Sequence, residues 1–390
     1  MVGLKGSRPK RMSGWVHRSP LFLFRELTFQ PFKCFRSPQL LRLSSAGATH
    51  RWNTILGDNG TGKTTILRML AEVDLDRTEV SLAGLTGVSF VAKEPFLPHC
   101  IGYGAWRGIE GLSKLTPNVQ EHPCRNLLDE KSGIPDPEEW LLQAELAARI
   151  SKPHAARIKK AQELVVNKLL PDVDGIDFEV VSGRTQVVAK TPYGRIPLRD
   201  LSYGYRSSLA WIMDLAGKLI DLAPDDPDPF SQPVVVLIDE IDLHLHPKWQ
   251  KQLLTTLDTA FPNAQFIVTA HSPLIIQAAP NANVILLKRE GDGVVIHNDF
   301  DHIREWRVDQ ILASELFEEQ PVHSQKVEEM LHRRMELLGR TKRTKKEEAE
   351  LAAVSERISK LPTAVLPEDQ DAMALIREVA ARIRNENGSR

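Results

Sequence analysis

The run Gly57-Asp-Asn-Gly-Thr-Gly-Lys-Thr64 meets the pattern G-x-x-x-x-G-K-[ST] at every position. It stands between an apolar stretch ending in Ile55-Leu56 and the amphipathic stretch Thr65-Ile-Leu-Arg-Met-Leu70. Strand, tight loop and helix in that order restrict the chain to α/β architectures in which a strand delivers a loop onto a helix N-terminus. Gly57, Gly60 and Gly62 supply backbone angles that a side chain forbids. Successive N–H groups can then turn inward around phosphate oxygens at the start of the helix. Asn59, Gly60, Thr61, Gly62, Lys63, Thr64 and Thr65 are therefore the expected phosphate-binding set. Lys63 brings a cation to the outer phosphates of ATP, and Thr64 offers a hydroxyl to Mg²⁺. The competing reading is a glycine-rich turn with no ligand.

A second apolar run, Val234-Val-Val-Leu-Ile238, ends in Asp239-Glu240. A strand this apolar belongs inside a parallel sheet. Its C-terminal end is the edge where open α/β sheets bind ligands. Asp239 is expected to hold Mg²⁺ opposite Thr64, and Glu240 to orient or activate the attacking water, since phosphoryl transfer rests on positioning and charge stabilisation. Solvated loop acids are the bland alternative. A third apolar run, Phe266-Ile-Val-Thr-Ala270, ends in His271.

Leu201-Ser-Tyr-Gly-Tyr205 resembles the signature loop of ABC-type ATPases, in the branch that includes SMC, RecF-like and OLD-type proteins. Asp239-Glu-Ile-Asp-Leu-His-Leu-His-Pro247 resembles the acidic motif of the RecF/OLD-like members, and Ala270-His271-Ser-Pro273 their switch-histidine loop. The resemblance covers roughly residues 20 to 320. It implies an α/β fold of ABC-type ATPase head, with a mixed β-sheet flanked by helices, a helical insertion and a C-terminal helical extension. It also implies a head-to-tail homodimer in which Ser202 and Gly204 of one subunit bind the γ-phosphate held by the other, with His271 as the γ-phosphate sensor. Gly102-Tyr-Gly-Ala-Trp-Arg107 and Trp306-x-Val-Asp-Gln-Ile-Leu312 resemble segments of bacterial anti-phage ATPases found beside effector genes, the Septu-type ATPase subunits among them. Two positions depart from the pattern. Tyr203 stands where an acidic or polar residue is usual, and no glutamine is placed to sense Mg²⁺. Gln120 lies too far along, whereas Arg107 could be a phosphate or partner contact or a structural arginine.

Composition sets limits. A chain of 390 residues with 42% hydrophobic content can build a large core, and a net charge of −1 argues against an overall electrostatic grip on nucleic acid. Cys34, Cys100 and Cys124 show neither C-x-x-C pairing nor metal spacing, and read as reduced thiols of a cytoplasmic protein. No apolar run is long enough to cross a bilayer, so no membrane partner is expected. His244 and His246 beside Asp242 invite a metal reading, but the resemblance assigns them to a loop crossing the dimer interface.

The expected organisation is a flexible basic leader (1–20), a lobe with the phosphate loop (21–107), a helical insertion (108–175), a second lobe (176–308) and a helical extension (309–390). Residues 21–43 alternate as two paired strands, an antiparallel edge on the sheet. Helices are expected over Glu138–Arg149, Ala155–Leu170, Ser207–Leu222, Gln325–Leu338, Glu347–Leu361 and Asp371–Asn385. Ala223–Pro229 reads as an exposed acidic connection. No nuclease constellation is visible, the lone pair Asp299 and Asp301 being a weak signal. The whole points to an ATPase acting with a separate effector in anti-phage defence, or alternatively in DNA repair or chromosome maintenance; a transporter subunit fits the motifs less well. Seven basic residues between Arg333 and Lys346 can be a solvated face, a docking surface or a nucleic-acid contact.

Overall fold

The computed structural model describes residues 24–45, 48–72, 79–82, 85–90, 99–111, 122–150, 173–223, 226–278, 281–298, 303, 306, 308–312, 314, 325–340 and 343–359. The basic leader, Gln120, Ala155–Leu170, Asp299, Asp301, Lys342 and Asp371–Asn385 lie outside the described residues. The chain divides into two compact units, Met1–Glu319 and Gln320–Arg390.

In the first unit the described strands build a central six-stranded sheet. Its order is Gly293–Asn298, Asn283–Glu290, Trp52–Gly57, Ala264–Thr269, Val234–Ile238 and His99–Tyr103. The last five are parallel, and Gly293–Asn298 runs antiparallel to its neighbour, which makes the sheet mixed. Every residue of Val234–Ile238 is buried, as a parallel strand covered on both faces requires. The two-residue period divides it between two cores. Val234, Val236 and Ile238 pack with Trp52, Phe266, Trp211 and Leu257; Val235 and Leu237 pack with Ile55, Ile267, Ile66 and Leu67. Helices Tyr203–Leu222 and Pro247–Ala260 thus line the first core, and helix Lys63–Ala71 the second. Full burial of one such aliphatic side chain contributes roughly 1.5–3 kcal/mol.

Residues 21–43 do pair, with Leu27 opposite Leu41, but they form no edge of the central sheet. They belong to a separate antiparallel sheet ordered Gln39–Arg42, Glu26–Phe29, Leu85–Phe90, Glu79–Leu82. The physical reason is their inner face: Leu27, Phe29 and Leu41 pack with Phe35 and with Ile66 of the phosphate-loop helix. The antiparallel edge of the central sheet is instead the hairpin Asn283–Asn298, turned by Gly291 at φ 62°.

Gly175–Val181, Arg184–Thr191 and Gly194–Pro197 form a three-stranded antiparallel sheet. It leads through a 3₁₀ turn, Leu198–Asp200, to a helix that starts at Tyr203 rather than Ser207. The earlier start follows from Ser202, which takes the cap position and whose carbonyl accepts the Arg206 N–H at 3.1 Å. Helix Pro137–Ile150 matches the expected one. Past the signature helix, Asp226 and Asp228 are not idle loop acids: they accept bonds from the side chains of Gln232 and Ser231.

The second unit holds helices Gln325–Gly339 and Lys345–Ser359. Among the described residues no helix is long and apolar enough to cross a membrane.

Candidate nucleotide site

The phosphate loop leaves the sheet at Gly57 and enters its helix at Gly62, with φ 144° and 92° respectively. Both are positions that only glycine fits. A β-carbon on residue 57 would stand 2.5 Å from the Leu287 carbonyl oxygen, and one on residue 62 would stand 2.7 Å from Cys34 Sγ. Asn59 and Gly60 are exposed at the crest, and Thr65 is half-buried. Thr61 turns inward, its hydroxyl donating to the Asp58 carbonyl at 2.8 Å. Lys63 is buried, and its ammonium donates to the carbonyls of Gly57 at 2.6 Å and Asp58 at 2.9 Å. Burial lowers its pKa against the opposing pull of Asp239 and Glu240.

The strand order places the Ala264–Thr269 strand between the phosphate-loop strand and the acidic strand. Its last residue joins them. Thr269 Oγ1 donates to Asp239 Oδ1 at 2.6 Å, and Thr64 Oγ1 donates to Asp239 Oδ2 at 2.6 Å. Asp239 is 3% exposed and holds both hydroxyls. Glu240 follows in the left-handed region at φ 48°, with its N–H bonded to Thr269 Oγ1 at 2.7 Å. A non-glycine residue held there is sparsely populated backbone, maintained by its surroundings.

Arg107 provides much of that maintenance. It is 4% exposed, and its guanidinium donates to the carbonyls of Asp239, Glu240 (2.9 Å) and Gly104 (3.0 Å). Burial brings its pKa down to about 10, with Asp239 and Glu240 pulling upward. Of the two roles open to Arg107 in the sequence, the structural one is observed. His271 is exposed, and its main-chain N–H is fixed by both carboxylate oxygens of Asp242 at 3.2 Å.

Ser202 caps the signature helix and is exposed, its side chain making no capping bond. Tyr203 has partners in its own chain. Its hydroxyl donates to the Arg107 carbonyl at 3.1 Å, and its ring meets the His244 ring edge-on with centroids 5.4 Å apart. Gly204 packs directly against the His244 main chain. His246 caps the Pro247–Ala260 helix by accepting the Lys248 N–H. Among the described residues no group of three or more metal-ligating side chains comes together.

Lys63, Thr64, Asp239 and Glu240 thus meet at one edge of the sheet. Sequence reasoning missed Thr269 and Asp242 as the residues that join the parts. Their one trace was position: a hydroxyl residue ending an otherwise apolar strand, and an acid two places beyond a carboxylate pair.

Residues 112–277 match the family described as "AAA domain, putative AbiEii toxin, Type IV TA system". That stretch contains Ser202, Gly204, Asp239, Glu240 and His271, while Lys63 and Thr64 precede it. The chain is 33% identical over 131 residues to the Retron Vc95 probable ATPase of Vibrio cholerae serotype O1 biovar El Tor, covering 34% of this chain and 25% of that protein. It is 46% identical over 89 residues to the Retron Ec83 probable ATPase of Escherichia coli, covering 23% and 16%. With the Septu protein PtuA of Bacillus mycoides it shares 26% identity over 324 residues, 73% of this chain and 43% of that one. The chain spans at most about half the length of these curated relatives, 53% in the case of the Bacillus thuringiensis Septu protein PtuA. The SMC head domain from Thermotoga maritima aligns over 70% of this chain and 98% of its own at 15% identity and a TM-score of 0.38, too low to bear on the site.

Proposed function

We propose that this chain, which carries an AAA-family ATPase domain related to retron and Septu ATPases, binds and hydrolyses ATP between two head-to-tail copies of itself. The single observation that carries the reading is the hydroxyl–carboxylate–hydroxyl chain Thr64–Asp239–Thr269, which draws phosphate loop, acidic strand and switch strand to one point. Oxygen donors from a threonine and an aspartate suit Mg²⁺, which takes few protein ligands and completes its shell with phosphate and water. Thr64 and Asp239 would hold the ion, and bound Mg²⁺ would offset charge on the phosphates.

Lys63 moves its ammonium from the loop carbonyls to the outer phosphates, for which its present partners are neutral stand-ins. Glu240, one residue beyond the metal-facing carboxylate, orients water for in-line attack. His271 contacts the γ-phosphate from the switch strand. The exposed, unengaged Ser202 faces the nucleotide of the partner copy at the N-terminus of a 20-residue helix. Kinship with Septu and retron ATPases supports a role in anti-phage defence, with a separate effector protein answering to the ATP-dependent dimer.

The test is sedimentation of Glu240→Gln protein with and without ATP and Mg²⁺. A shift from monomer to dimer that needs both is the expected result. A protein that binds ATP tightly yet stays monomeric at every concentration would overturn the two-copy site.

A further inference from the structure

Cys100 and Cys124 are separate in sequence and adjacent in space, with sulfurs 3.8 Å apart. Cys100 lies on the edge strand His99–Tyr103 and is partly exposed, whereas Cys124 is fully buried at the start of the short helix Arg125–Leu128. Gly102 makes the meeting possible. It shares the Cys100 face of the strand, and a β-carbon on it would stand 3.0 Å from Cys124 Cβ. The Cys124 N–H is bonded to His122 Nδ1 at 3.1 Å. The nucleotide chemistry uses neither thiol.

We propose that Cys100 and Cys124 form a modification site: a dithiol that low-molecular-weight disulfides of the glutathione class oxidise to an intramolecular disulfide. The sulfurs need to close from 3.8 Å to about 2.05 Å. The roles divide by position and proton affinity. Cys100 is the partly exposed residue of the pair, and Cys124 the fully buried one. Cys124 has its pKa lowered to about 6 by its hydrogen bond with Cys100 and by His122, whereas that same bond and burial raise the Cys100 pKa. Cys100 first gives its proton to solvent, and its thiolate attacks the disulfide RSSR; the S–S bond breaks, and RS⁻ leaves and takes up that proton as RSH. The Cys124 thiolate then attacks the Cys100 sulfur, forming the internal bond, and the second RS⁻ departs and takes a proton from water. Two protein sulfurs are oxidised and one RSSR is reduced to two RSH.

The bond would brace the loop behind the acid pair. Asn126, two residues past Cys124, accepts the Gly104 N–H at 2.8 Å and donates to the Trp106 carbonyl at 3.2 Å. Arg107 follows and holds the main chain of Asp239 and Glu240.

Trypsin cuts after Lys93, Arg107, Lys114 and Arg125, so the two cysteines fall on different peptides, 94–107 and 115–125. Purified full-length protein is incubated with excess oxidised glutathione, free thiols are alkylated, and the digest is mapped without reductant. The expected result is disappearance of both separate peptides together and appearance of one linked species, from protein that runs as a monomer on a non-reducing gel and reverts with dithiothreitol. The melting temperature of wild-type protein should rise on oxidation, and that of Cys100→Ser should not. Recovery of the two peptides as separate alkylated or glutathionylated species from folded wild-type protein would overturn the proposal, and that map needs no variant to fold.

Discussion

Gly204 lies so close beneath His244 that a β-carbon there would stand 2.2 Å from the His244 carbonyl oxygen. The contact is within one chain and involves main-chain atoms that cannot swing aside. A helical glycine normally gains about 1 kcal/mol on replacement by alanine, but overpacking against fixed backbone outweighs that gain. Gly204→Ala should lower the unfolding free energy by about 1–3 kcal/mol, read from urea midpoints. Wild-type stability in that variant would show the contact to be soft.

Ser202 is therefore the cleaner place to test the two-copy site, because it is exposed and carries no capping bond. Lys63→Ala and Ser202→Arg proteins should each be inactive alone. A mixed dimer keeps one site in which both halves are wild type, so mixing should restore part of the hydrolysis. If mixed dimers are demonstrated and no ratio restores phosphate release, Ser202 does not act across the interface.

Lys63→Ala should abolish ATP binding, since it removes the cation and leaves the carbonyls of Gly57 and Asp58 without their donor. Glu240→Gln should bind ATP as the wild type does and turn it over about 10²–10⁴-fold more slowly, the usual scale for loss of a general base. Equilibrium binding with a fluorescent ATP analogue and single-turnover phosphate release separate the two. Rapid hydrolysis by Glu240→Gln would remove that carboxylate from its assigned role.

His271 offers a test in which stability and turnover should part. Its side chain is exposed and its main chain is anchored by Asp242. His271→Ala should leave the melting free energy within about 0.5 kcal/mol of wild type, as for surface changes generally, while slowing turnover more than it weakens ATP binding. Equal losses of stability and activity would mark the histidine as structural.

The described arginines of this run, Arg333, Arg334, Arg340 and Arg343, are engaged within their own unit. Arg333 pairs with Glu336 and Glu350, Arg340 with Glu336 and Glu347, and Arg343, which lies between the two helices, donates to carbonyls at the end of helix Gln325–Gly339, the nearest being Leu337 at 2.9 Å. Neutralising Arg333 and Arg340 to glutamine should loosen this helix pair, seen as lost helical circular dichroism on mild heating of the full-length protein. Duplex DNA binding, followed across a salt series, should not change. A steep salt dependence that the variants abolish would restore the nucleic-acid reading.

Much of this site is legible in the sequence because its chemistry is carried by contiguous runs. The phosphate loop and the acidic pair each advertise a strand, a turn and a function within a few residues. Thr269, Asp242 and Arg107 do not. Their partners are a carboxylate on the next strand, a main-chain N–H across the switch loop and two carbonyls far along the chain. Such bonds depend on which strands become neighbours, and local composition carries no record of that order. The misassigned N-terminal pair has the same origin: alternation shows that Leu27 and Leu41 point one way, not which layer they point into.

The phosphate-loop strand is translated early and partnered late. Trp52–Gly57 is flanked only by Ala264–Thr269 and Asn283–Glu290, so on the ribosome it waits with both edges open until the chain beyond Ala264 has emerged. Open edges on an apolar strand recruit other strands, and pairing over such sequence distances is slow. A premature stop before Ala264 should yield aggregate rather than a free-standing nucleotide-binding fragment. The segment that announces the protein most clearly is among the last to become structure.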